Sequence, residues 1–419
     1  MTTQQTPPGR GTTPPSGHPP PPFDGTPGPA AEALIDALRY RLLPAVLTPM
    51  HADGRVDLGE LERYATGLLA ADRVDPLGGP PGMGASGLPT GPAADVACVA
   101  DAAGSMIDDP RRGPGFGETP DTPTPSMSGS PAAGRLGDAG NGALGGVAVW
   151  AHTGRGLRLA RADRLRVLQT FRQVTTLPIV AGAGTPDDGT GTAEDETVRM
   201  AVDAAEHGAD AVMVYPPAAL RGSARRDAEV LRLHERIAAA VDLPLLGFYL
   251  HGEAGGYEYP TSLLGELSTL PSVAGVKLAT LDRAMACQDA IIEIRRHGRL
   301  AVTGEDRMFG PSLMWGADAA LAGIAAARAD LTASVLRSWH TGAHAAFHRD
   351  SAALDRFAAV TFFAPIEGYV QRMFWAAVHE GLLAEHAAHD PYGPALPPGD
   401  RQAVSDCLDT LTARPRAAD

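Results

Sequence analysis

The chain has 419 residues, 44% of them hydrophobic and 5% aromatic, and a formal net charge of −14. That length suits one large domain or two or three small ones, with enough apolar residues for a sizeable core. The acidic excess argues against nucleic acid or an anionic membrane surface as the main partner, and no apolar run is long enough for a spanning helix.

No positively charged stretch followed by an apolar core opens the chain, so a secretory leader is not expected. Cys98, Cys287 and Cys407 lie far apart and form no metal-type pair. These features fit a reduced, cytoplasmic enzyme. The first thirty residues contain ten prolines and little that is apolar. They read as a disordered tail over 1–30.

From residue 31 the pattern becomes regular, interrupted by a Gly-, Pro-, Ser- and Asp-rich insertion over about 75–145. Inside that insertion only 93–107 has the makeup of a short helix. Strand candidates follow one another at 43–48, 147–151, 178–182, 211–215, 244–250, 273–280, 300–304 and 319–324. Amphipathic stretches such as 157–175, 193–207 and 224–240 lie between them. Eight strands alternating with helices indicate an α/β fold, a parallel (β/α)8 TIM barrel over 31–330. The near-continuous apolarity of the strands agrees, because parallel strands are buried on both faces. The remainder, 331–419, reads as a C-terminal helical extension packing on the barrel and on another subunit.

Barrel active sites form at the C-terminal ends of the strands. Strand six carries Lys277 within Val-Ala-Gly-Val-Lys-Leu-Ala-Thr, an otherwise small and apolar run. A buried ammonium must pair or lose its proton, and a neutral amine in a dry pocket attacks carbonyls. The alternative is a strand-end lysine reaching to water. Strand two ends in Ala151-His152-Thr153-Gly154-Arg155, a turn whose N–H groups and hydroxyl suit a carboxylate. Strict alternation puts Tyr249 on one face of strand five with Leu245 and Gly247, and Phe248 on the other with Leu246 and Leu250. If the second set meets the helices, Tyr249 enters the barrel mouth as a proton shuttle. Thr48, Thr303, Glu305, Asp306 and Ile324 also fall at strand ends, with Asp306 equally suited to capping the next helix. His251 and Glu253 fall in the loop after strand five, and the run at 389–394 reads as a turn. No nucleotide loop or metal-spaced histidine pair appears, so neither cofactor nor metal is expected.

Taken together, these residues resemble the dihydrodipicolinate synthase and N-acetylneuraminate lyase family of class I aldolase-type barrels. The shared features are Thr48-Pro49, Asp53-Gly54, Val56-Asp57, the Thr153-Gly154 turn, Pro-Ile-Val-Ala-Gly-Ala-Gly at 178–184, the run 208–211 and Gly275-Val276-Lys277. Tyr249 precedes Lys277 by 28 positions, as the family tyrosine does. The resemblance implies that Lys277 forms a Schiff base with pyruvate or a longer 2-oxo acid, Tyr249 relays protons and Thr153 holds the carboxylate. Thr48, Gly154, Arg155, Glu305 and Ile324 would complete the substrate pocket, and a homo-oligomer is implied.

The departures argue against the synthase itself. His152 replaces the first threonine of the family turn, Ala218-Ala219 replaces a tyrosine pair, and the loop 251–256 lacks the arginine that grips an aldehyde substrate. His152 or Arg155 can then serve as a new acid–base or anion-binding group. Placing Tyr249 needs one extra residue after Pro244, so Phe248 is the other occupant of the tyrosine site. Two further readings remain. One is a catalytically silent barrel that binds a ligand or protein. The other is a reaction in which Lys277 acts as general base without a covalent intermediate.

Overall fold

The computed structural model describes residues 25–70 and 144–412. The insertion, its expected helix at 93–107 and most of the Pro-rich tail lie outside the described residues. Eight parallel strands pair in the order β1-β8-β7-β6-β5-β4-β3-β2. They are β1 (Leu42–Pro44), β2 (Val147–Val149), β3 (Ile179–Ala183), β4 (Ala211–Val214), β5 (Leu245–Leu250), β6 (Val273–Ala279), β7 (Leu300–Thr303) and β8 (Ala319–Ala322). Parallel bridges from Leu42 to Leu144 and from Ala45 to Ala148 join β1 to β2 and close the circle. The fold is a (β/α)8 barrel with C-terminal helices.

Every strand residue from β1 to β5 is buried. The inner layer is built from small and branched side chains such as Ala45, Val180, Leu246 and Val302. The outer layer, with Val212, Val276 and Leu278, meets the surrounding helices. Helix α1 (Pro29–Leu38) closes the bottom of the barrel. Its Leu34 and Leu38 are fully buried in the inner-layer cluster, each contributing about 2 kcal/mol of apolar burial. Gly28 donates its N–H to Pro271 O at 2.8 Å, and Tyr40 donates to Asp318 O at 2.7 Å. Helix α1 and the contacts ahead of it thus include residues 28–30, which the sequence reading assigned to the tail.

Helices α2 (Leu58–Ala70), α3 (Arg161–Val174), α4 (Ala193–Glu206), α5 (Arg226–Ala240), α6 (Thr261–Thr269), α7 (Ala284–Arg296) and α8 (Phe309–Met314) surround the strands. The start of α4 shows how local the instructions are. Thr192 Oγ1 accepts the Asp195 N–H at 3.2 Å and donates to the Asp195 carboxylate at 2.7 Å, with acidic residues in the first turn. The eighth barrel helix, α9 (Ala325–His340), leaves helical geometry at Arg328 (φ −122°, ψ 55°). It crosses the 330/331 division expected from sequence, so the extension proper begins with α10 (His344–Thr361). Helices α11 (Tyr369–His379) and α12 (Gly399–Thr412) complete it. The links around α11 return to the barrel mouth, where Met50 donates its N–H to Ala387 O at 2.9 Å.

Candidate active site

Lys277 is buried near the C-terminal end of β6 and pairs in register with Phe248 on β5 and Val302 on β7. Its Nζ stands 4.2 Å from the Phe248 ring centroid. Gly304 makes room for it: a Cβ there would lie 2.6 Å from Lys277 Cε and 2.8 Å from Leu278 O. Burial pushes the Lys277 ammonium below its ordinary pKa, against the pull of Asp306 and Glu305 toward the charged form. Desolvation prevails over that pull, so the neutral amine is reached at a lower pH than for a free lysine.

A cleft opens above Lys277, its walls including Phe248, His152, Thr153, Asp306, Glu367 and Tyr369. Glu305 accepts the Thr280 N–H at 2.6 Å and so holds the end of β6. Burial pushes its carboxyl up. Asp306 accepts the Ile324 N–H at 2.7 Å and is likewise pushed up by burial, so the cap expected of Asp306 falls on the β8–α9 turn.

The turn after β2 is held in a sparsely populated conformation, with φ of 55° at Trp150 and 54° at Arg155. Thr48 Oγ1 donates to Gly154 O at 2.8 Å, which places both residues behind the turn rather than in the cleft. A Cβ on Gly154 would come within 2.7 Å of Val46 O. Thr153 and His152 face the cleft. His152 Nε2 lies 2.9 and 3.1 Å from the two Glu367 oxygens. Burial pushes Glu367 up, but the His152 and Arg155 contacts outweigh it and hold its pKa at about 2.

Two sequence expectations change here. Tyr249 is not in the Lys277 cleft. It pairs with Leu278 in the outer layer and stacks on Tyr259 at 5.7 Å. The inner face of β5 takes Leu246, Phe248 and Leu250, while Gly247 faces out toward Val276 and His234. Apolar character could not decide the facing, because a barrel interior is as apolar as its helix-covered exterior. Phe248, not Tyr249, therefore faces Lys277.

Arg155 is not a free cation either. Nε and Nη2 bond Asp390 at 3.1 and 2.7 Å, Nη2 also reaches Glu367 O at 3.0 Å, and Nη1 pairs with the Glu367 carboxylate at 2.5 Å. It lines a neighbouring cleft that shares His152, Leu250, Ala254 and Glu367 with the first. Ile324 engages Asp306 through its backbone and buries its side chain in the outer layer. His251 stands at the cleft wall, its pKa pushed down to about 4 by burial and by the nearby His152 and Lys277. Glu253 lines the neighbouring cleft and a third one that Tyr249 also lines.

The extension supplies what sequence reading missed. Tyr369 lies 3.1 Å by its hydroxyl from Thr153 Oγ1 and stacks on Phe362 at 4.7 Å. Gly323 permits this meeting, since a Cβ there would be 3.0 Å from Thr153 Oγ1 and 3.3 Å from Tyr369 Cε2.

Residues 140–409 match the family model described as the Dihydrodipicolinate synthetase family. The chain belongs to that family. Within it, the chain is 27% identical over 141 residues to a protein named "Probable 4-hydroxy-2-oxoglutarate aldolase, mitochondrial" from Emericella nidulans, covering 32% of this chain and 43% of that one. It is 24% identical over 285 residues to a 4-hydroxy-tetrahydrodipicolinate synthase from Bifidobacterium longum, covering 68% of this chain and 66% of the relative. The chain thus spans less than two thirds of either relative's length. Among solved structures, YagE, a prophage protein of the same family from E. coli K12 in complex with pyruvate, shares the fold. The TM-score is 0.63 at 16% identity, covering 88% of this chain and 98% of that one.

Proposed function

We propose that this family member is a lyase in which Lys277 forms a Schiff base with pyruvate or a longer 2-oxo acid and a carbon–carbon or carbon–oxygen bond then breaks. The observation that carries the reading is the buried amine of Lys277, its pKa lowered by burial, facing a cleft that also presents the Thr153 and Tyr369 hydroxyls. A neutral amine adds to a keto carbon, and the resulting iminium acts as an electron sink for the bond that breaks. The Thr153 hydroxyl suits the substrate carboxylate, with Thr48 and Gly154 fixing the turn that presents it. The adjoining cleft has room for the remainder of a longer acid.

The aldolase and synthase names of the relatives, and the pyruvate bound by YagE, favour the same chemistry. Phe248, which has no proton to transfer, is the observation that favours the competing reading of a ligand-binding barrel without turnover. Intact-mass analysis after pyruvate and borohydride, beside Lys277→Ala, tests the proposal. A pyruvyl adduct on the unsubstituted protein alone is expected. No adduct across a panel of 2-oxo acids selects the silent barrel.

A further inference from the structure

Schiff-base chemistry needs a group that gives a proton to the departing oxygen and takes one from the carbon beside the imine. In this barrel neither strand-five candidate serves, since Phe248 lacks a transferable proton and Tyr249 sits on the outer face. The carboxylates in the cleft are engaged. Glu305 holds the Thr280 N–H, Asp306 holds the Ile324 N–H, and Glu367 is ion-paired with His152 and Arg155. Tyr369 is different. Its phenol is buried, lines the cleft with Lys277, and is aimed by Thr153 Oγ1 at 3.1 Å, its ring set against Phe362.

We propose that Tyr369, delivered by the C-terminal extension rather than by a barrel strand, is the acid–base residue of the Lys277 site. The inference rests on the Schiff-base reading above. The Lys277 amine adds to the keto carbon, and its proton passes to the former keto oxygen to give a neutral carbinolamine. Tyr369 then protonates that hydroxyl, the carbon–oxygen bond breaks, water leaves, and an iminium and a phenolate remain. The phenolate removes a proton from the adjacent carbon, giving a neutral enamine and restoring the phenol. Amine and keto acid become enamine and water, with no net proton taken up. Burial keeps the phenol protonated until it is used, because desolvation raises its pKa well above the ordinary value.

The test uses the full chain, Tyr369→Phe and Tyr249→Phe, each checked by thermal melting. Two quantities are read at saturating pyruvate: the borohydride-trapped adduct, and deuterium exchange into the pyruvate methyl group in D2O by NMR. Tyr369→Phe is expected to trap pyruvate more slowly, while exchange per adduct falls at least about 100-fold, the usual scale of a lost acid–base group. Tyr249→Phe is expected to match the unsubstituted protein within about twofold, since its ring lies outside the cleft. A folded Tyr369→Phe that traps pyruvate and exchanges its methyl protons as fast as the unsubstituted protein overturns this assignment and leaves the Schiff-base reading standing. Absence of any adduct on the unsubstituted protein overturns both. Should Tyr369→Phe unfold, Thr153→Val is read instead. Slowed exchange with the adduct intact supports the assignment, and unchanged exchange refutes it.

Discussion

Asp390→Asn probes the contact that pins the extension to the barrel mouth. The Arg155 side chain is only 4% exposed and that of Asp390 is fully buried, joined by hydrogen bonds of 3.1 and 2.7 Å. Removing the carboxylate charge leaves a buried guanidinium with Glu367 as its remaining counter-ion, itself 32% exposed. Breaking a buried pair costs roughly 3–5 kcal/mol, and because Asn can still accept one bond the expected loss is about 3 kcal/mol. For a chain of this size that corresponds to a fall in Tm of roughly 3–5 °C. Urea unfolding followed by intrinsic fluorescence gives the free energy, and calorimetry gives the Tm. Turnover should fall as well, because His152 and Thr153 directly precede Arg155, whose unusual φ closes the turn that this pair anchors. A loss under about 1 kcal/mol, the value of a surface pair, would show that the contact does not hold the segment.

The pH dependence of adduct formation should follow Lys277. Only the free amine reacts, so the trapping rate rises with pH through the lysine pKa, and burial places that midpoint below the ordinary 10.5. A midpoint at or above 10.5 contradicts the buried-amine account. Glu367 sets an acid limit on stability. Its folded pKa of about 2 lies below the ordinary 4.5, so its contribution is complete above about pH 4.5 and is lost as pH falls through 2. Glu367→Gln should flatten that part of the stability profile, and coincident profiles would show that the ion pair adds nothing. Gly304→Ala forces a Cβ to within 2.6 Å of Lys277 Cε and 2.8 Å of a backbone oxygen. It should cost about 1–3 kcal/mol and cut adduct yield at least tenfold, whereas an unchanged yield would mean that the lysine approaches by another path.

The barrel was legible because each parallel strand is an apolar run between punctuating glycines and prolines, and a lysine inside such a run stands out. Strand ends were overrun where the chain leaves the ladder, as at 46–48 after β1. The facing of β5 was misread because neither side of it meets water, so alternation carried no directional signal. Tyr369, Glu367 and Asp390 were invisible for another reason. The break at Phe362–Pro365 signals only that a helix stops, and nothing local says where the next segment docks. The Arg155 contacts with Glu367 and Asp390 join residues 212 and 235 positions apart. Such partners become apparent only when the buried cation demands an explanation.

The charges around Lys277 make sense for an imine more than for a resting lysine. Asp306 and Glu305 draw Lys277 toward its cationic form while burial opposes them, and burial prevails. Asp306 is pushed the same way, toward its neutral form. An iminium is a fixed cation on a 2-oxo acid that brings its own carboxylate, so bound substrate adds no net charge to the dry cleft. The attraction that only partly offsets the desolvation of the resting ammonium remains available to that cation, and it also favours ionised Asp306. Differential stabilisation of this kind lowers the barrier to the covalent step without tightening ground-state binding.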